Sequence, residues 1–191
     1  MTAAARELFA ASGYANTSIA EVARAAGVSS ETIYKTFGTK RSILSEIIDV
    51  ALTGDPAAAP MLKSELFGRV LAARTQRERL ALLAKLTRTI LERAGPIHKI
   101  IRDAAATDPE AVVLREKHQH ARLMVQREFV RTLLELGPLR RGMTLAEGAD
   151  MYWTTASPEL HHVLTLERGW SQNRYEKWLL DTLGALLLPA S

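Results

Sequence analysis

The chain contains no cysteine, which excludes disulfide scaffolds, thiol catalysis and cysteine-rich zinc sites and fits a reducing cytoplasm. It has no run of about 18 uninterrupted apolar residues, so no transmembrane helix and no membrane partner are expected. Arg6 and Glu7 stand where a signal peptide would need its apolar stretch, which argues against secretion. No segment alternates apolar and polar residues with β-branched enrichment, so no sheet is expected. Catalytic signatures are missing as well: there is no Gly-x-Ser-x-Gly elbow, no P-loop and no His-Glu-x-x-His pair. His161 and His162 are adjacent, and His118 and His120 are two apart, so neither pair shares a helical face. Glu116 and His120 have a chelating i, i+4 spacing, but two ligands do not make a specific metal site. An enzyme, a metal and a cofactor are therefore not expected.

What is present is the balance of a soluble globular protein, 47% hydrophobic and 24% charged over 191 residues. The 25 Lys and Arg against 21 Asp and Glu leave +4, a weak pointer to an acidic partner. Helix punctuation runs from end to end. A first helix over 2–12 stops at Gly13, Ser18 with Glu21 caps a second that ends at Gly27, and Ser29 opens a third ending at Phe37-Gly38. Thr39 opens a fourth, to about Leu52. The breaker-rich loop from Thr53 to Pro60 then marks a boundary, giving domains 1–52 and 53–191. Beyond it the expected helices cover 63–73, Gln76 to Gly95 behind a Thr75/Glu78 cap, Pro96 to Thr107, and a long one from Pro109 to before Gly137. Thr144 with Glu147 caps the next, Ser157-Pro158 interrupts it, and Ser171 opens the last, to about Leu188. The fold class is all-α: a three-helix N-terminal domain and a larger helical bundle.

The informative window is 14–44. Two short capped helices flank a turn headed by Gly27, the pattern of a helix-turn-helix. Ala23 is small enough for the second helix to cross closely, Gly27 can adopt a left-handed conformation, and Val22, Val28 and Ile33 are spaced to share a small core. A plain αα-corner would also accommodate these residues. The second helix, however, is short, polar and rich in hydroxyls (Ser29, Ser30, Thr32, Tyr34, with Lys35), and Lys40-Arg41 follow it, a combination suited to a DNA major groove.

Three stretches carry a specific resemblance: Ala-Arg-Glu-Leu-Phe-x3-Gly-Tyr at 5–14, Thr-Ser-Ile-x-Glu-Val-Ala-x-x-Ala-Gly-Val-Ser at 17–29, and Thr-Ile-Tyr-x-x-Phe-x-x-Lys-x-x-Ile-Leu at 32–44. Residues 6–48, about a quarter of the chain, resemble the DNA-binding domain of the tetracycline-repressor (TetR) family. The resemblance implies that Thr17, Tyr34 and Lys40 hold DNA phosphates, and that Ser29, Ser30, Glu31, Thr32 and Lys35 face base edges. It implies a cytoplasmic homodimeric regulator, a repressor bound to a palindromic double-stranded operator and released by a small-molecule effector. Two features depart from the pattern. Glu31 places a carboxylate where a small residue is usual, either accepting from a cytosine amine or facing solvent. The chain also begins almost inside the first helix, so either its start lies upstream or the usual basic arm is lacking, which predicts a shallower salt dependence. The alternative reading is a ligand- or protein-binding helical module that no longer reads DNA.

In the larger domain, the apolar stripe of the helix from Pro109 is interrupted by His118 and Arg122. These need polar partners, supplied by an internal pair, water or an effector. Ile101, Met124 and Trp153, with Leu86 and Ile90, are candidate apolar walls of an effector pocket, and plain core is the competing reading. An anionic effector would suit Arg122. Met151, Tyr152, Trp153, Trp178, Leu179, Leu183 and Leu186 are expected to anchor a dimer through the C-terminal helices, or to pack within one chain. Charge is distributed unexpectedly: residues 1–52 hold five basic and five acidic side chains, whereas 63–102 hold ten and three. The segment 32–45 nevertheless carries three positive charges and no negative one.

Overall fold

The computed structural model describes residues 1–53 and 61–189, so the greater part of the breaker-rich loop expected at the domain boundary lies outside the described residues. Among the described residues there are ten α-helices and no strand. They are α1 (Thr2–Ser12), α2 (Ile19–Ala25), α3 (Ser30–Phe37), α4 (Lys40–Thr53), α5 (Glu65–Leu71), α6 (Gln76–Ala105), α7 (Pro109–Leu134), α8 (Leu145–Thr155), α9 (Pro158–His162) and α10 (Gln172–Leu187). A 3-10 turn (Met61–Lys63) precedes α5, and a π-helical turn (Val163–Glu167) prolongs α9. The chain forms two compact units, Met1–Ala58 with Pro96–His118 and Ala59–Gly95 with Gln119–Ser191.

The caps behave as the residue types require. Ser18 accepts from the Glu21 amide while the Glu21 carboxylate accepts from the Ser18 amide, and Thr144 with Glu147 repeats the arrangement. Both carboxyls are held below the usual range, first by the backbone amide they accept from. Ser29, Ser64, Ser157 and Ser171 cap α3, α5, α9 and α10. Gly27 has φ +68°, and nothing stands near the position of a Cβ, so backbone conformation alone selects glycine in this turn.

One expected boundary is corrected. Gly95-Pro96 does not separate two helices; α6 runs unbroken for 30 residues with Pro96 inside it. Proline costs a helix interior one hydrogen bond and a clash, about 3 kcal/mol. Burial on both sides outweighs that cost: Leu91 is core of the second unit and Ala94 is buried, while Ile97, Ile100, Ile101 and Ala104 are core of the first. A first-turn proline and an interior proline look alike in sequence.

The first unit packs Phe9, Val22, Ile33, Ile43 and Leu44 of α1–α4 with Ile97, Ile101, Ala111 and Leu114. In the second unit Phe129 stacks on Phe67 at 5.7 Å and meets Tyr152 edge-on at 5.8 Å. Arg79 is 4% exposed there. Its Nη1 donates to the Thr132 carbonyl (2.6 Å) and Glu135 (3.2 Å), and its Nη2 to the carbonyls of Leu71 (2.7 Å) and Ala73 (3.0 Å). It thereby satisfies carbonyls at the ends of α5 and α7. Arg79→Met strands these acceptors and should destabilise the protein by about 3 kcal/mol. Urea unfolding checks this: the expected result is a lower midpoint at unchanged slope.

Candidate nucleic-acid interface

The interface is built on a closed turn. Between α1 and α2, the Thr17 amide donates to the Tyr14 carbonyl at 3.3 Å and the Thr17 hydroxyl to the Gly13 carbonyl at 2.9 Å. Thr17 is 2% exposed. The hydroxyl expected to hold a phosphate is committed to the turn, because residues 13–17 must satisfy the carbonyls that follow α1. Lys40, expected on a phosphate too, extends its ammonium to the carbonyls of Tyr14 (2.9 Å) and Thr17 (3.1 Å) and lies 4.3 Å above the Tyr14 ring. Burial lowers its pKa and the nearby Asp108 carboxylate acts in the opposite direction. The Tyr14 phenol is pushed up to about 12, by burial first and then by Asp108.

The recognition helix α3 rests on this frame through Ile33, its one buried residue. Glu31, Thr32, Tyr34, Lys35 and Thr36 are exposed and Ser30 is half-buried. The Ser29 Oγ accepts from the Thr32 amide at 3.1 Å and contacts the Thr32 hydroxyl at 2.9 Å, so both belong to the cap. Ser30, Glu31, Tyr34 and Lys35 face outward without an ion pair among the described residues, a row of donors and acceptors one helix wide. This is the geometry that direct reading of a major groove requires. Arg41, next to Lys40, is paired with Glu110 of α7 at 2.8 Å. The sequence reading missed that contact, since nothing local links positions 69 residues apart.

The residues expected around an effector separate. Ile101 is core of the first unit, and His118 also belongs to that unit, its Nε2 buried without a hydrogen-bond partner. Met124 is exposed. Arg122 and Trp153 meet in the second unit: the Arg122 Nη1 donates to the carbonyls of Trp153 (3.0 Å) and Ala156 (3.3 Å), and its guanidinium lies 4.2 Å above the Trp153 ring. Arg122 thus caps the C-terminus of α8, where a cation is favoured. Burial pulls its pKa down to about 10, opposed by Glu159. The Trp153 Nε1, the Tyr175 hydroxyl and the Gln126 Oε1 are buried without hydrogen-bond partners. Gln126 and Tyr175 escaped the sequence reading. Gln126 follows Arg122 by one helical turn, a spacing that places both on one face of α7.

Tyr152, Leu179 and Leu183, expected to anchor a partner chain, are fully buried within this chain, and Trp178 packs on the same core. The large exposed apolar residues of this region are Met151, Leu160, Val163 and Leu166.

A capped helix-turn-helix with an exposed polar second helix defines a DNA-binding domain. Residues 2–47 match the model of the bacterial regulatory proteins of the tetR family, so this segment is a TetR-type DNA-binding domain. The fold of the chain is similar to those of the TetR-family regulator PfmR from Thermus thermophilus (21% identity, TM-score 0.62, covering 97% of this chain and 96% of the other), the regulator FadR from Bacillus subtilis in complex with stearoyl-CoA (17%, 0.73, 95% and 95%), and SmeT in complex with triclosan (22%, 0.73, 98% and 89%). No curated protein is significantly similar in sequence.

Lys35→Ala should leave stability unchanged and alter which base is preferred at one position of each half-site, measured by competition with single-base variants of a selected duplex. Lys40→Ala should lower the stability of the domain by about 1–3 kcal/mol by stranding two carbonyls, seen in denaturant unfolding, and weaken binding to all duplexes alike. Glu110→Gln frees Arg41. Binding to any duplex at low salt should then strengthen by up to about fivefold, with a slope against log salt steeper by about 0.9.

Proposed function

We propose that the protein is a homodimeric repressor of a palindromic operator, released when a small molecule occupies its second domain. The observation that carries this reading is α3, a helix held by one buried side chain and otherwise exposed and polar. Residues 1–52 contain the reading elements, and 53–191 serve effector binding and dimerisation. One recognition helix contacts too few base pairs for selectivity. A twofold dimer presents two helices about 34–36 Å apart to successive major grooves. Met151, Leu160, Val163 and Leu166 supply apolar surface for such a partner; Leu166 is 71% exposed.

The effector reading rests on Trp153, Tyr175 and Gln126, whose indole N–H, hydroxyl and amide oxygen are buried without hydrogen-bond partners in the same unit as Arg122. Two structurally similar regulators carry ligands, stearoyl-CoA and triclosan. An effector with an acceptor for the Trp153 N–H and a negative charge near Arg122 suits this cluster. It acts by population shift: preferential binding to a state with misplaced recognition helices weakens DNA binding by the ratio of its affinities for the two states. The regulator works in the cytoplasm, where the operator is; among the described residues no helix is long and apolar enough to cross a membrane.

Selection from a pool of randomised duplexes tests the reading. The expected product is a two-fold symmetric site with half-sites about 10 base pairs apart, centre to centre. Failure to enrich any sequence over competitor DNA refutes operator recognition. Leu166→Lys should yield a monomer in sedimentation equilibrium and weaken operator binding at least about a hundredfold, because the second half-site is then bound independently.

A further inference from the structure

A cavity of about 740 Å³ opens in the second unit, lined from the first turn of α6 and the C-terminal half of α10. Its volume falls within the range of roughly 300–1,000 Å³ seen for small-molecule sites. Leu80, Leu180, Ala185 and Leu188 give it apolar walls. Arg77 and Arg140 also line it; both are exposed, and neither has an ion-pair partner among the described residues. The carboxylate in the lining, Asp181, is paired with Lys177 at 2.5 Å. The Gln76 amide nitrogen is spent on the carbonyls of Leu133, Gly137 and Pro138 at 3.1, 2.8 and 3.0 Å, so it braces the wall and leaves recognition to the two arginines.

Gly184 adds an independent observation. Glycine inside a helix is unfavourable relative to alanine, and usually a close neighbour explains it. Gly148 of α8 has that explanation, since a Cβ there would come within 3.0 Å of Val130 and 3.1 Å of Leu139. Gly184 has none: a Cβ would meet only Leu80, at an ordinary 3.9 Å. Packing within the chain does not require the glycine. Gly184 lines the cavity, so the space a side chain would take there is open to a ligand.

We propose that this cavity binds an anionic amphiphile, a monocarboxylate on an aliphatic chain, with its carboxylate between Arg77 and Arg140 and its chain laid over Gly184 against Leu80, Leu180 and Leu188. Guanidinium forks match the two oxygens of a carboxylate, and unpaired arginines offer donors without first breaking an ion pair. A cationic head would meet two like charges, and a neutral one would forgo both charge-assisted bonds. The site is separate from the Arg122 cluster and does not depend on the effector reading.

Isothermal titration of the full chain with decanoate and with decanol, each below its aggregation threshold, tests the proposal. The expected result is one decanoate per chain, bound at least about tenfold more tightly than decanol, with affinity falling as salt rises. Arg77→Gln/Arg140→Gln should weaken decanoate at least about tenfold and leave decanol unchanged. Gly184→Leu, which favours the helix while filling the cavity, should weaken both ligands to a similar extent. The variants change exposed or uncrowded positions, and circular dichroism confirms their fold. Absence of saturable decanoate binding, equal affinity for decanol, or decanoate binding untouched by both variants overturns the proposal.

Discussion

The ammonium of Lys40 and the two carbonyls it reaches set the geometry of the DNA-reading end. Those oxygens, on Tyr14 and Thr17, belong to the turn between α1 and α2, and Lys40 opens α4. One charged donor thus joins the turn that launches the helix-turn-helix to the helix that follows it. Thr17 closes the same turn from inside through Gly13. Because the turn is locked, Ile33 alone can hold α3 in place while the rest of that helix remains solvated and available. A recognition helix needs this asymmetry, since each side chain buried for stability is lost to the groove.

The electrostatics follow from the same contacts. Three cations stand in 32–45 without a local anion, but the fold occupies two of them, Lys40 on carbonyls and Arg41 on Glu110. Lys35 is left outward without an ion pair among the described residues. Phosphate attraction therefore depends on where cations are released and not on the total of +4. The first unit nets no charge over 1–52, so long-range attraction contributes little, and short-range donors such as Tyr34 and Lys35 acquire correspondingly more weight.

The second unit makes a different compromise. Its apolar core is ordinary, yet it encloses an indole N–H, a phenol and a carboxamide oxygen without hydrogen-bond partners, in the same unit as the Arg122 guanidinium. Unsatisfied groups of this kind cost stability in the free protein. They are tolerable where something else completes them, which is why the cluster, more than any apolar wall, supports effector binding. Arg122 is already employed as the cap of α8, so a ligand engaging it would act directly on a helix end.

The caps, the Gly27 turn, the helical class and the exposed face of α3 were legible in the sequence, because each is decided within a few residues by hydrogen-bonding reach, allowed φ or apolar spacing. The same locality explains what was not. Whether Pro96 begins a helix or interrupts one depends on burial of Leu91, Ile97 and Ile101 by elements distant in the chain. Whether Thr17 and Lys40 face phosphate or backbone depends on carbonyls that only the folded turn brings to them. Arg41 with Glu110, Arg122 with Trp153, and the cavity beside Gly184 join residues far apart in sequence, and their spacing carries no trace of the contact. The sequence by itself determined the elements and the chemistry they expose. Tertiary structure decided which of those side chains remain free to use it, because hydrogen-bonding capacity is finite and long-range neighbours consume it first.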